Sequence, residues 1–289
     1  MRHRYLWVFH NPLRNVSLFA WRTGRGAACL EDIVPPDFQG IIQCDSALPR
    51  ERRHDGEAYP HSLRNEGNYS AYEAFIKTPP RAGRIELAGC MAHMRRKFFE
   101  ARDEGEDPQW VLAQVQQLYR IEARLREARD GPEEVLSTRQ EHSAPIMAAI
   151  KARLEQLQAS HKHRPTSLTG EALSYALNQW PKLCVFLRDG RVQIDDNNLV
   201  ENTIRPSAIG KKNWLFMGDA KSGARAATFY TLISNCHRQS IDATAYLTDI
   251  FKRLPTEKNH TVHRLTPKDW AAEQAAKRHA LAQSALVQM

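Results

Sequence analysis

Ile194-Asp-Asp-Asn-Asn-Leu-Val-Glu-Asn-Thr-Ile-Arg-Pro206 packs three carboxylates, three amides and an arginine into thirteen residues. If Asp196 or Asn197 caps a helix, Asn197, Glu201 and Arg205 follow at i, i+4 and i+8 and share one face. Val200 and Ile204 then fall on a separate stripe suited to packing. A glutamate held between amides and an arginine is able to ligate a metal that works on phosphate. On spacing alone the plainer reading is favoured: a capped surface helix with an i,i+4 Glu–Arg pair.

The surrounding chain sets the class. Its 289 residues suit one large domain or two ordinary ones, and 42% hydrophobic residues is enough for a core. A formal charge of +8 points to polyanionic partners, nucleic acid first. Five scattered cysteines without a CxxC pair read as reduced thiols of a cytosolic protein, not as a disulfide framework. No apolar run approaches a membrane span, and the apolar part of the first ten residues is too short for a signal peptide.

Upstream, Tyr5–Phe9 and Val16–Trp21 are aromatic and β-branched runs around His10-Asn-Pro-Leu-Arg-Asn15, a hairpin signal. A short helix is expected at 24–32, then a buried strand from Phe38 to Cys44 that stops at Asp45. Residues 46–67 are charged and rich in turn formers, as in an inserted surface loop. A helix over 69–76, a strand over 84–90 and a helix from Met91 to Ala101 follow. Helical periodicity over 110–129 and 146–157 predicts a helical hairpin. Thr169 caps a further helix that Pro181 interrupts. Helices are expected over 224–236, after Asp242 and in the tail beyond Trp270. Strands, then helices, with one strand returning after a short helix, suggest an α/β core interrupted by a helical insertion.

Chemistry-bearing residues gather at strand ends, where ligands collect in open α/β sheets. Asp45 ends one strand and Cys90 the next, and His93 lies one turn into the following helix. Cys90 and His93 have C-x-x-H spacing and form half of a zinc site if His161 and His163 complete it; supporting roles beside the acidic site are the better reading. Arg95, Arg96 and Lys97 cannot all point one way on a helix, so some reach phosphate and some face solvent. Lys211 and Lys212, next to Trp214, suit DNA near a cleavage site; packing of Trp214, Leu215 and Phe216 as a core strand is the favoured alternative for the tryptophan. Arg205 either pairs with Glu201 or contacts phosphate bidentately. The Arg50–Arg53 cluster reads as solvated loop, and the glycines at 218 and 223 lack nucleotide-binding spacing.

Four ordered blocks carry a resemblance: Gly89-Cys-Met-Ala-His-Met-Arg-Arg-Lys-Phe98 onward, Tyr175-Ala-Leu-Asn-Gln-Trp-Pro181, the D-N-N-x-x-E-x-x-I-R-P core of 194–206, and Gly210-Lys-Lys-Asn-Trp-Leu-Phe216. Together they resemble the transposases of the insertion sequence sixty-six family, from about Tyr5 to Trp270. The resemblance implies a ribonuclease-H-like α/β core carrying a DDE triad, with Asp45 as second acid, Glu201 as third and Asn197 and Asn198 in support. It implies two divalent metals, Mg²⁺ or Mn²⁺, held by Asp45 and Glu201, and DNA contacts from Arg95, Arg96, Lys97, Arg205, Lys211 and Lys212. It implies cleavage at the ends of the mobile element and strand transfer into target DNA. The partners implied are those DNAs, further copies of the chain in a synaptic complex and accessory proteins of the same element, in a cytoplasmic, nucleoid-associated setting.

The expected organisation is 1–101 as the first part of the core, 102–165 as the helical insertion, 166–254 as the remainder of the core and 255–289 as a tail. The first aspartate of the triad is expected on a strand ahead of Tyr5–Phe9. Asn68-Tyr-Ser-Ala-Tyr72 resembles the family's continuation after Asp45, displaced by residues 46–67. An N-terminally truncated chain with its first strand missing is therefore expected, with activity lost or reduced. Two alternatives stand beside it: a non-catalytic DNA-binding remnant and a zinc-dependent nucleic-acid binder.

Overall fold

The computed structural model describes residues 5–44, 69–195, 200, 202–214 and 219–287. The chain divides into two compact units, Gly24–Asn198 and Met1–Thr23 with Leu199–Met289.

In the second of these units the predicted hairpin forms. Strands β1 (Tyr5–Asn11) and β2 (Val16–Arg22) pair antiparallel, with Trp7 opposite Ala20 and Phe9 opposite Leu18. Leu6, Trp7 and Val8 are all buried, so β1 is covered on both faces. The other edge of β2 meets helix side chains instead of a third strand. Ser17 N–H donates to Asn235 Oδ1 (2.8 Å), Asn235 Nδ2 donates to Ser17 O (2.7 Å), and Phe19 N–H donates to Thr231 Oγ1 (2.9 Å). Two residues of strand advance about 6.6 Å and four residues of helix about 6 Å, so an i,i+4 helical pair matches an i,i+2 strand pair.

The helices of this unit follow the sequence signals, with wider bounds. Asn202–Trp214 and Ala220–Arg238 (named α7 and α8 below, after the six helices of the other unit) are followed by α9 (Ala243–Arg253) and α10 (Pro267–Val287). Asp242 caps α9 as expected, accepting from Thr244 N–H (2.8 Å) and Ala245 N–H (3.0 Å). Trp214 falls within a helix, which corrects the expectation of a core strand there: residues 202–214 continue one α-helix through Pro206. Cys236, Tyr246, Ile250 and Leu265 close a small core, with Trp270 edge-on to Tyr246 at 5.6 Å.

The Gly24–Asn198 unit holds β3 (Gly40–Gln43) and β4 (Ile85–Ala88), which pair in parallel with Gln43 opposite Ala88. Strand β3 is shorter than predicted and half-buried along Ile41–Gln43. Between 24 and 32 the chain makes a 3₁₀ turn at Ala27–Cys29 instead of a longer helix. Helix α1 spans Tyr69–Lys77, and α2 (Met91–Glu100) follows β4 at once. The predicted helical pair appears as α3 (Glu106–Ala128) and α5 (Ala144–Ala159), but α4 (Pro132–Thr138) and a π-helical turn, Arg139–Ser143, lie between them.

Helix α6 (Leu168–Leu183) begins at Ser167, whose hydroxyl accepts from Gly170 N–H (3.1 Å). Thr169 is not the cap; its N–H and hydroxyl both donate to Glu104 Oε2, while Leu168 N–H donates to Oε1. Burial opposes ionisation of Glu104, but these donors outweigh it and hold the carboxyl below its ordinary pKa. Pro181 sits inside α6 and does not end it. Met91, Met94 and Phe98 of α2, Val111, Val115 and Leu118 of α3, Met147, Ile150 and Leu154 of α5, and Ala172, Ala176 and Trp180 of α6 form one core. Their 3–4 residue spacing is what puts one stripe of each helix inside. No helix among the described residues is long and apolar enough to cross a membrane.

Candidate active site

Three chain segments meet at the carboxyl end of β3 in the Gly24–Asn198 unit. The first is the strand end Gln43–Cys44, whose next residue is Asp45. The second is the β4–α2 junction, Gly89–Met91. The third is Gln193–Asp195, which leads into the acidic stretch. Gln43 ties all three together: its Nε2 donates to Gly89 O (3.1 Å) and to Gln193 O (2.8 Å). Cys44 N–H donates to Ala88 O (3.2 Å), extending the parallel pairing by one step, and Met91 N–H donates to Ile194 O (3.0 Å). That last bond uses one of the N–H groups that the start of α2 would otherwise leave unsatisfied.

Around this junction the side chains are polar above a buried floor. Cys90 is fully buried at the N-cap position of α2, and Met91 and Met94 face the core. His93, in the first turn, is half-buried. Arg95 is exposed, with its guanidinium 5.9 Å from the Phe99 ring centre, and Arg96 and Lys97 are half-buried. The three cations therefore fan around the helix, as a consecutive run must. Tyr119 of α3 lies close enough to Asp195 to feel its charge. Burial first, then the negative charge of Asp195, raise the phenol well above its ordinary pKa.

Asp45, Asn197, Asn198 and Glu201 lie outside the described residues, as do the 46–67 segment and its Arg50–Arg53 cluster. Of the described residues of the acidic stretch, Ile204 is buried, Val200 half-buried and Arg205 exposed. Lys211 and Lys212 fall in the last turn of α7. The zinc arrangement does not form. Among the described residues no three His, Cys, Asp or Glu side chains converge as a metal site, and His163 Nε2 lies 2.9 Å from Asp107 Oδ2. Arg153 (2.7 Å) and Lys162 (2.6 Å) also donate to Asp107. Burial pushes the Asp107 carboxyl up, but the hydrogen bonds with Lys162, His163 and Arg153 outweigh it and hold the pKa down to about 2. The basic break at 161–165 thus serves to seat the N-terminus of α3.

The sequence profile of the Transposase IS66 family matches residues 66–226, more than half of the chain. The chain belongs to this family. The match runs from just before α1 through the β4–α2 junction and the acidic stretch into α8, and so covers two of the three segments that Gln43 joins. Three proteins of Sinorhizobium fredii (strain NBRC 101917 / NGR234) are similar to this IS66-family chain. Uncharacterized protein y4jD is 29% identical over 245 residues, 83% of this chain and 47% of its own length. Uncharacterized protein y4hP is 31% identical over 222 residues, 72% of this chain and 39% of its own. Uncharacterized protein y4qI is 32% identical over 241 residues, 82% of this chain and 40% of its own. The chain thus spans less than half the length of the curated relatives it matches. No solved structure matches it.

Gln43, Tyr119 and Asp195 carry the geometry of the junction, yet spacing did not single them out. The available signal was weak: a lone amide closing the apolar Gly-Ile-Ile run of β3, and a phenol on the inner side of α3.

Proposed function

We propose that this chain carries the DNA cleavage and strand-transfer site of an insertion-sequence transposase, with activity reduced or lost in these 289 residues, on a ribonuclease-H-like α/β core interrupted by a helical insertion. The observation that supports the reading best is the junction held by Gln43. A strand end one residue before Asp45, a helix start with His93 and three cations, and the lead-in to the Asp196–Pro206 stretch all come to one place. Family membership gives that junction its chemical meaning.

In this reading Asp45 and Glu201 are the second and third acids, and Asn197 and Asn198 support them. Carboxylates are hard oxygen donors, the ligand class that Mg²⁺ and Mn²⁺ take. Bound there, a pair of such ions would supply charge to activate the attacking oxygen and stabilise the leaving one. The chain's own residues do the rest. Arg95, Arg96, Lys97, Arg205, Lys211 and Lys212 attract and position phosphates, with a steep salt dependence. Tyr119 lies beside Asp195 at the start of the acidic stretch. The partners are element ends and target DNA in the bacterial cytoplasm, with further copies of the chain in a paired-end complex and accessory proteins of the same element.

The test is cleavage of labelled element-end DNA by the purified 289-residue chain with Mg²⁺, next to Asp45→Asn and Glu201→Gln. Cleavage by the parent chain that both variants abolish supports the reading. DNA binding without cleavage indicates a binding function instead, and cleavage that survives Glu201→Gln refutes the assignment.

A further inference from the structure

The helical stretch after α3 grips the segment that leads into the acidic motif. Arg139, in the π-helical turn, is 1% exposed although it carries a charge. Its Nε donates to Glu122 Oε1 (2.8 Å) and its Nη2 to Glu122 Oε2 (2.7 Å), a two-pronged pair with α3. Its remaining donor, Nη1, turns the other way, to Phe186 O (3.0 Å) and Val192 O (2.9 Å). The guanidinium also lies 5.3 Å from the Phe186 ring centre. The neighbouring Gln140 side chain donates to Leu187 O. Gly190 packs so tightly on the start of α4 that a Cβ there would sit 1.9 Å from Pro132 O.

From Val192 the chain runs two residues to Ile194, whose carbonyl accepts from Met91 N–H, and then to Asp195. The 186–194 segment is therefore fastened on one side by the helical insertion and on the other by the β3–β4 junction. A π-helical turn widens the helix by one residue per hydrogen-bonded ring, which is how Arg139 can face Glu122 and the loop carbonyls together. The fork geometry is specific to arginine: a lysine can meet Glu122 or a carbonyl, but has no rigid set of donors aimed at both.

We propose that Arg139 is a positioning residue, anchored on Glu122, that sets the path of 186–194 and hence where the acidic motif begins. The inference rests on the transposase reading for its catalytic consequence, but its structural part stands apart from it. The insertion then acts as a strut for the acidic motif, beyond any contact of its own with DNA.

The experiment compares the parent chain with Arg139→Lys and with the double variant Glu122→Leu/Arg139→Met, which removes both buried charges and so avoids stranding one. Amide hydrogen exchange is read by mass spectrometry on peptides covering 186–195 and Met91. At least tenfold faster exchange is expected there in both variants, with α5 and α6 unchanged, because neither keeps a set of donors that holds Glu122, Phe186 O and Val192 O together. Unchanged exchange over 186–195 in Arg139→Lys overturns the proposal, and so does acceleration spread evenly over the unit. A second readout uses Mg²⁺-dependent cleavage. A single-turnover rate at least tenfold lower, with a higher half-saturating Mg²⁺ concentration and unchanged affinity for DNA, is expected. Parent-like rates in a variant with altered exchange overturn the catalytic part. A parent chain that binds element-end DNA without cleaving it favours the DNA-binding alternative, while the exchange result still decides what Arg139 does.

Discussion

Replacing Asn235 tests whether helix side chains really serve as the missing neighbour of strand β2. In the native chain one amide satisfies both main-chain groups of Ser17, at 2.8 and 2.7 Å, and also donates to Thr231 O (2.8 Å). Ser17 is fully buried and Asn235 is 4% exposed, so water cannot replace these bonds without opening the unit. Asn235→Leu keeps the branched shape of the side chain and removes its donors and acceptor. Each buried group left unpaired costs about 1–3 kcal/mol, so the two Ser17 groups together should lose roughly 2–6 kcal/mol. For a cooperative unit of this size that is a fall in Tm on the order of 10 °C. Thr231→Ser, which keeps the hydroxyl that accepts from Phe19 N–H, should cost about 1 kcal/mol or less, while Thr231→Val should cost more. Urea unfolding followed by tryptophan fluorescence reads all three, since Trp7 and Trp21 lie in the hairpin. A stable Asn235→Leu chain, within about 0.5 kcal/mol of the parent, would refute the idea that the helix satisfies the strand edge.

Other expectations follow from equally local arguments. Gly223→Ala would place a Cβ 2.2–2.6 Å from the Trp21 indole, so it should destabilise by about 1–3 kcal/mol and change the tryptophan emission. Arg139→Met alone strands the buried Glu122 carboxylate and should cost about 3–5 kcal/mol in urea melts, whereas adding Glu122→Leu should recover most of it. Burial first, and the Arg238 charge second, hold His10 down to about 4 from its ordinary 6.5, so the fold keeps the imidazole neutral. Its contribution to stability is full above about 6.5 and is lost as pH falls through about 4; a pH series of urea melts should show this one-proton slope, and His10→Gln should remove it.

Much of the local structure was legible because it is written in short-range terms. Aromatic and β-branched residues on both sides of an Asn-Pro-containing turn specify the β1–β2 hairpin. The apolar stripes of α3 and α5 specify their buried faces, and Asp242 specifies the start of α9. The errors arose where a distant partner decided the outcome. Ser167 rather than Thr169 caps α6 because Glu104 takes the Thr169 N–H and hydroxyl. Pro181 stays inside α6 because a proline near the C-terminal end of a packed helix forfeits one bond without losing its buried face. Arg139 looks like a surface residue until Glu122 and three loop carbonyls surround it. Of the candidate site, the order of blocks pointed to the junction of β3, β4 and α2. The tie made by Gln43 could not be read in advance, since no spacing rule links residue 43 to residues 89 and 193.

The central claim is that the acidic motif following this junction is the third-acid segment of a DNA-cleaving site. Its most direct measurement is single-turnover cleavage of element-end DNA in Mg²⁺ by the parent chain and by Glu201→Gln, with DNA affinity and Tm measured on the same samples. A bound metal supplies several kcal/mol at the transition state, so the variant should cleave on the order of 100-fold more slowly, or slower still, while binding DNA and melting like the parent. Equal Mg²⁺-dependent cleavage by the two proteins would contradict it.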